Sequence, residues 1–535
     1  MRSLVKEKGT GGISALKLIL SAFFCITILG PLLSMVSQIN WSNVTQQVFT
    51  EQFWQIAMNS ITVSLASTVL SVGLAYIVAL AVNRSRLAGS RIVYMIAIMP
   101  MLIPSVSHGM GLINLFGSNG LFTNIFHINM NLHGFLGILL GSMLYSFPVA
   151  FLMLSDAMKY ADGSLYEAAE VLGIPKINQF FCVTLQYMKR PLLSAMFSVF
   201  TMVFTDYGVP LAVGGRYITL PLYLYREVIG LYDYSKGAFI GLLLLLPALI
   251  AFLLDLRKNE DDNLSAVPKK YKIKRNVPRD VFLGAVTLVV TAFIMIVLVS
   301  FLVLTFVKSY PYDLAPTLKH VAMVFERGIG RYISNSFIIA VLAASIGTFI
   351  GFVTAYITAR TPYRRMTKIL HLFALTSVAI PGIVLGLGYT IFFKNTFLYG
   401  TIMILAFVNI IHFFASPYLM MYNAMKKLNS NYENVGKTLN IPRLAMIKDV
   451  FIPNLLDTIA EMFGYFFVNC MITISAVAFL YSSSTKPLAI MINEYESSMA
   501  FEAAAFVSVI ILLANLLMKL IIGGVKRYCK VRYGR

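Results

Sequence analysis

Leu165-Tyr166-Glu167-Ala168-Ala169-Glu170-Val171-Leu172-Gly173-Ile174-Pro175 returns, at a constant offset of 267 residues, as Tyr432-Glu433-Asn434-Val435-Gly436-Lys437-Thr438-Leu439-Asn440-Ile441-Pro442. Each copy reads as a short helix with defined ends. Asp162, Gly163 and Ser164 precede the first copy and supply an N-cap. Glu167 falls in the first turn, where a carboxylate suits the positive end of the helix dipole. Ala168 and Ala169 are strong helix formers with almost no side chain, so another surface can approach closely. Gly173, and Asn440 in the second copy, can adopt the left-handed conformation that ends a helix. Pro175 and Pro442 then forbid its continuation.

The surroundings of both copies are apolar. The chain has 535 residues, 58% of them hydrophobic and only 12% charged, against about 25% charged in soluble domains. Its mean hydropathy is +0.78. So much apolar surface exceeds what a water-facing fold hides, and lipid must be the main solvent. Twelve stretches are long enough to cross a bilayer: about 15–36, 57–83, 92–114, 134–155, 191–214, 237–256, 280–307, 335–358, 366–393, 398–421, 456–481 and 502–523. The first is read as a transmembrane helix rather than a cleavable signal, because it is long and no clear cleavage site follows.

The net charge of +20 belongs to short loops between the apolar runs. With no basic domain interleaved with aromatics, nucleic acid is excluded as a partner. Arg84, Arg86 and Arg91, then Lys159, Lys176, Lys189 and Arg190, then Arg360, Arg364, Arg365 and Lys368 fall on alternate sides of the spans, whereas 37–56 and 115–133 contain no Lys or Arg. This pattern places both termini and both repeated loops in the cytoplasm. Cys25, Cys182, Cys470 and Cys529 show neither metal-ligand spacing nor a disulfide pattern.

The two halves share more than the loops. Asn59-Ser60 corresponds to Asn335-Ser336, Arg84–Arg91 to Arg360–Lys368, Pro104 to Pro381 and Gln186 to Pro453. The expected fold is therefore an all-α integral membrane protein with about 12 transmembrane helices in two parallel six-helix repeats. The first module covers 1–256 with its loop at 157–190. A polar cytoplasmic linker covers 257–279, and the second module covers 280–535 with its loop at 422–455. Gly137/Gly141, Gly347/Gly351 and Gly382/Gly386 have the spacing of helix-packing pairs.

The segment Glu167–Gly173 with Ile174-Pro175 resembles the EAA motif of binding-protein-dependent ABC importer permeases, and the resemblance spans nearly the whole chain as two fused permease modules. The second copy is degenerate. Glu433 stands one place before the aligned Glu position, which is Asn434, and Val435, Gly436 and Asn440 replace Ala, Ala and Gly. Gln186 replaces a proline common in the family, which Pro453 retains. Thr205-Asp206-Tyr207-Gly208-Val209-Pro210 and Thr473-Ile474-Ser475-Ala476-Val477 are similar to the two halves of fused ferric-iron-type and 2-aminoethylphosphonate-type permeases.

The resemblance implies a permease subunit without catalytic residues or a cofactor or metal of its own, working in a bacterial cytoplasmic membrane and contacting lipid. Two copies of an ABC ATP-binding subunit would carry ATP and Mg and dock through Glu167, Ala168, Ala169 and Gly173 and through Glu433, Gly436 and Asn440. An extracytoplasmic binding protein would deliver substrate: ferric iron or 2-aminoethylphosphonate first, thiamine or polyamines after them. Asp206 and Tyr207, with Thr473 and Ser475 opposite, are the candidates for the translocation path, since polar groups at membrane depth are costly.

Three other readings fit the sequence less well. A twelve-span secondary transporter of the major-facilitator kind shares the span count but leaves the long cytoplasmic excursion after span four of each half unexplained. A membrane enzyme would need a ligand or nucleophile cluster that six histidines do not form. Gly436-Lys437-Thr438 ends like a phosphate-binding loop, but the position that needs glycine is Asn431.

Overall fold

In the computed structural model the described residues are all but 1–9, 43, 45–49, 119, 128–131, 257–270, 272, 274–275, 362–364 and 534–535. Most of the linker therefore lies outside them. The first module contains α1 (Thr10–Phe24), α2 (Gly30–Ser37), α3 (Glu51–Arg84), α4 (Ser90–Ile98), α5 (Ser105–Phe116), α6 (Phe135–Lys159), α7 (Ser164–Val171), α8 (Gln186–Phe204), α9 (Gly208–Val213), α10 (Leu220–Gly230) and α11 (Tyr234–Leu256). The second contains α12 (Val277–Phe306), α13 (Ile329–Arg360), α14 (Arg365–Thr376), α15 (Gly382–Phe393), α16 (Ile402–His412), α17 (Ala415–Lys427), α18 (Asn431–Thr438), α19 (Ile452–Ile472), α20 (Leu488–Ser497) and α21 (Phe501–Tyr533). A two-stranded antiparallel hairpin, β1 (Val307–Ser309) and β2 (Asp313–Pro316), is a small departure from the all-α expectation.

Among the described residues, seven spans are individually long and apolar enough to cross a bilayer, against the twelve expected. Three more are bent pairs: Ser90–Leu102 with Ser105–Phe126 turns by 106°, Arg365–Ala379 with Gly382–Phe393 by 111°, and Ile402–His412 with Ala415–Lys427 by 56°. The first two bends fall at Pro104 and Pro381, whose rings remove a backbone donor and fix extended geometry. The other expected spans, five and six, are α8 and the shorter apolar stretch Tyr234–Ile250.

A bend beyond a right angle could mark a re-entrant loop, which would invert every later element. Cross-helix hydrogen bonds decide the matter. Ser146 donates to Ser71 (3.1 Å), and Asn83 Nδ2 donates to Ser155 (2.9 Å), so α3 and α6 advance together in the same direction. The intervening α4–α5 pair must therefore cross the slab. In the second module Ser482 meets the Gly400 carbonyl near one end of α13, and Arg360 meets the Met425 and Leu428 carbonyls at its other end. There too α16–α17 runs alongside α13, and α14–α15 must cross.

The first helix of each module packs on the opposite module. Lys17 Nζ donates to Thr367 (2.9 Å), Phe24 stacks on Phe373, and a Cβ on Gly388 would meet Pro31, so α1–α2 lies along α14–α15. Reciprocally, a Cβ on Gly111 of α5 would meet Val297 and Phe301 of α12. The last helix follows the same rule: Asn515 of α21 donates to the Leu102 carbonyl and Ser508 pairs with Ser107. Without a hydrophobic driving force between helices in lipid, close small-residue packing and buried hydrogen bonds hold such contacts. Gly347 and Gly351 serve in this way, receiving Phe466 and Met462 of α19.

The paired Asn-Ser signals do equal work in both modules. Ser60 accepts from the Leu220 amide and Ser336 from the Leu488 amide, each at 2.6 Å, and these amides open α10 and α20. Asn59 donates to the Ile218 carbonyl, and Asn335 to those of Ser484 and Lys486. Each pair fastens a short helix across the end of the module opposite the repeated loop.

Candidate functional site

The repeated loops form two short helices, α7 and α18, with matching ends. Gly173 has φ +67° and Asn440 φ +54°. The Ile174 amide donates to Ala169 O (3.0 Å) and the Ile441 amide to Gly436 O (2.8 Å). The Gly173 and Asn440 amides return to Glu170 O and Lys437 O. This is the Schellman closure, which satisfies the last carbonyls of each helix. At the other end Asp162 accepts from the Ser164 amide and hydroxyl, while Asn429 accepts from the Asn431 amide.

The exposed face differs in part from expectation. Ala169 is buried, and so is its counterpart Gly436, where a Cβ would meet Met446 Sδ at 2.1 Å. These small residues let the helix lie close on its own module rather than on a partner. Ala168, Leu165 and Leu172 face outward in the first copy, with Val435, Tyr432 and Leu439 in the same positions of the second. Leu172 is 75% exposed and Leu439 64%. Glu167 is half-buried.

Glu433 also has a different neighbourhood from the one expected of it. Its carboxylate takes Arg360 Nε (2.6 Å) and Nη2 (2.7 Å) in a two-pronged pair, with the guanidinium nearly buried. Arg360 further donates to the carbonyls of Met425, Leu428 and Asn429. It thus ties the end of α13 to the approach and first turn of α18. In the first module Arg84 holds the same position, and Tyr166 stands where Glu433 does. There the guanidinium lies over two rings, 5.0 Å from the centroid of Tyr166 and 3.9 Å from that of Tyr271. One anchoring arginine is served by a carboxylate in one copy and by aromatic faces in the other. The sequence marks both arginines as topology signals and as repeat counterparts, but not as anchors. Their equivalent positions, at the end of the second span of each module, were the available clue.

The two segments that carry the path candidates meet, through Tyr207 and Ile474. The expected fifth span is interrupted: α8 ends at Phe204, and Thr205–Tyr207 turn the chain into α9. The eleventh likewise stops at Ile472 rather than continuing helically to 481. Both breaks lie on the seam between modules. Tyr207 is fully buried, and its hydroxyl reaches the Ile474 carbonyl (3.4 Å), the residue 267 positions on and its own counterpart in the repeat. Its ring stacks on Tyr225 at 4.9 Å. Asp206 is buried and accepts from the Val209 amide (2.9 Å), capping α9. Thr473 is buried with its amide on Asn469 O, which closes α19, and Ser475 is half-buried.

The seam also shows a size exchange. A Cβ on Gly208 would meet Ser105 Oγ at 2.2 Å, and one on Gly382 would meet Ser475 Oγ at 2.5 Å. Gly208 and Ser475 are counterparts, as are Ser105 and Gly382. Each module therefore fits one serine against one glycine at the same contact, with the two roles reversed.

Two repeated helical modules, swapped first helices, broken central spans and a pair of matching short-helix loops define a two-module helical membrane permease. The chain matches the family described as "Binding-protein-dependent transport system inner membrane component" over residues 71–257 and 347–527, and it belongs to that family. It is a permease subunit of an ABC importer, a multi-pass protein of the bacterial inner membrane, with ATP hydrolysis on a separate subunit and a substrate-binding protein as partner.

Among curated relatives, the ferric transport system permease protein FbpB of Actinobacillus pleuropneumoniae is 24% identical over 84% of this chain and 67% of its own length. The thiamine transport system permease protein ThiP of Brucella abortus is 24% identical over 65% of this chain and 64% of its own. A spermidine/putrescine permease PotC homolog of Mycoplasma pneumoniae is 29% identical over 37% and 67%. Among solved structures, a chain of the bacterial alginate ABC transporter in complex with alginate pentasaccharide-bound periplasmic protein aligns at TM-score 0.39 and 16% identity, covering 46% of this chain and 95% of its own. The major-facilitator expectation finds no support among these relatives.

Proposed function

We propose that α7 and α18 are the two coupling elements through which a pair of ATP-binding subunits drives this permease, one subunit beneath each module. The observation that carries this reading is the shared outward face: Leu165, Ala168 and Leu172 in one helix, Tyr432, Val435 and Leu439 in the other, each closed by a left-handed residue. Apolar side chains held this far out of a membrane protein's polar end suit a cleft on a soluble partner. In this reading Glu167, Ala168 and Gly173, with Asn440, touch the ATPase, whereas Ala169, Glu433 and Gly436 position the helices from within. The modules are 1–256 and 280–535, joined by the linker 257–279, with both termini and both loops cytoplasmic.

ATP-driven closure of the partner pair would push both helices and rock the modules about the seam where Tyr207 meets Ile474. Work of this kind requires only that nucleotide and delivery protein favour different conformations. Asp206, Tyr207, Thr473 and Ser475 line the opening that results, and the packed seam is the closed form. The substrate is ferric iron or 2-aminoethylphosphonate, with thiamine and polyamines as the next candidates. The relatives' names support a ferric substrate more directly than a phosphonate.

The test is co-purification. Leu172→Asp with Leu439→Asp puts a charge into each docking face, and loss of two leucines that docking would bury, at about 2 kcal/mol apiece, weakens ATPase binding by well over tenfold. Undiminished co-purification and ATP-dependent uptake in the double variant would remove the coupling role.

A further inference from the structure

We infer that the second module carries a site for a phosphate anion at the base of α18, of the kind an acidic phospholipid headgroup presents. A cavity of about 440 Å³ opens between the start of α1, the end of α13 and the α18 loop. Four cationic side chains, Lys17, Arg360, Lys437 and Arg443, line it against the single carboxylate of Glu433. Its rim continues into apolar side chains, with Leu18 and Met366 exposed toward the lipid side. A net positive cavity at headgroup depth with an apolar lip matches an anionic amphiphile. Arginine and lysine together favour phosphate oxygens over a neutral headgroup.

The first module provides an internal comparison. There the matching space beside Arg84 is closed by Tyr271, whose ring lies against both the guanidinium and Tyr166. In the second module Glu433 stands at the position of Tyr166, and the space beside Arg360 stays open. A bound phosphate competes with Glu433 for Arg360 and loosens the hold of α13 on α18. Occupancy would therefore tune one coupling helix and leave the other unaffected.

The test uses the full chain in a neutral detergent, titrated with dioctanoyl-phosphatidylglycerol, dioctanoyl-phosphatidylcholine, glycerol phosphate and inorganic phosphate, with binding read by calorimetry. The expected result is saturable one-to-one binding of the phosphatidylglycerol, weakened about thirtyfold in Lys17→Gln/Arg443→Gln and retained in Lys17→Arg/Arg443→Lys. Glu433→Gln, which removes the competing carboxylate, tightens binding, a gain that a misfolded protein does not give. If glycerol phosphate or inorganic phosphate binds as tightly as the lipid, the phosphate site stands and its occupant is a soluble phosphate. Equal binding of phosphatidylcholine, or unchanged binding in Lys17→Gln/Arg443→Gln, overturns the proposal.

Discussion

Arg360 shows how much of a coupling element can rest on one side chain. Its guanidinium holds a carboxylate and three carbonyls, and the carbonyls belong to the turn that delivers the chain into α18. Arg360→Gln should cost about 2 kcal/mol, the scale of charge-assisted hydrogen bonds lost from a partly buried pair. Thermal unfolding of the purified protein reads this as a lower midpoint, and an unchanged midpoint would show the pair to be decorative. The seam offers a second residue-scale test. Gly208→Ser forces two serines together with Ser105, whereas Ser105→Gly/Gly208→Ser reproduces the arrangement already present at Gly382 and Ser475. The single variant should be destabilised by about 1–3 kcal/mol from overpacking, and the double variant should recover most of that. A double variant no better than the single would mean the two contacts are not equivalent.

At the scale of elements, the ends of α7 and α18 were legible because their causes are local. Gly173 and Asn440 were marked as left-handed positions by residue type, and both adopt positive φ. Asn440→Gly should therefore be neutral or stabilising, while Gly173→Val should cost about 1–2 kcal/mol at the helix terminus. Helix stability under denaturant, followed by a label at the exposed Cys182, distinguishes the two. What sequence could not show was which alanine faces which way. Ala168 and Ala169 are equivalent as helix formers, and only the packing of α7 on its own module buries the second. Pro104 and Pro381 mark kinks by residue type, but bends beyond a right angle and the break at Thr205–Tyr207 were not legible, for a related reason. Hydropathy measures transfer into lipid, and Pro104, Pro381 and the Thr205–Tyr207 turn remain apolar enough to pass while bending the chain. Their freed backbone groups are tolerated because neighbouring helices, not lipid, surround them.

For the whole molecule, the internal repeat predicted parallel modules but not their exchange of first helices. That exchange depends on contacts such as Lys17 with Thr367 and Gly111 with Val297, which link residues far apart in the chain. It ties each module's first span to the other's bent span, so a push on one coupling helix reaches both sides of the seam. In the proposed function a separate ATPase moves this seam through α7 and α18. The direct measurement is uptake into proteoliposomes holding this chain with its ATP-binding subunits and delivery protein, compared with vesicles holding the chain alone under a proton or sodium gradient. Ferric iron or 2-aminoethylphosphonate should accumulate only in the complete vesicles, only with ATP, and not in Leu172→Asp/Leu439→Asp. Gradient-driven accumulation by the chain alone would contradict it.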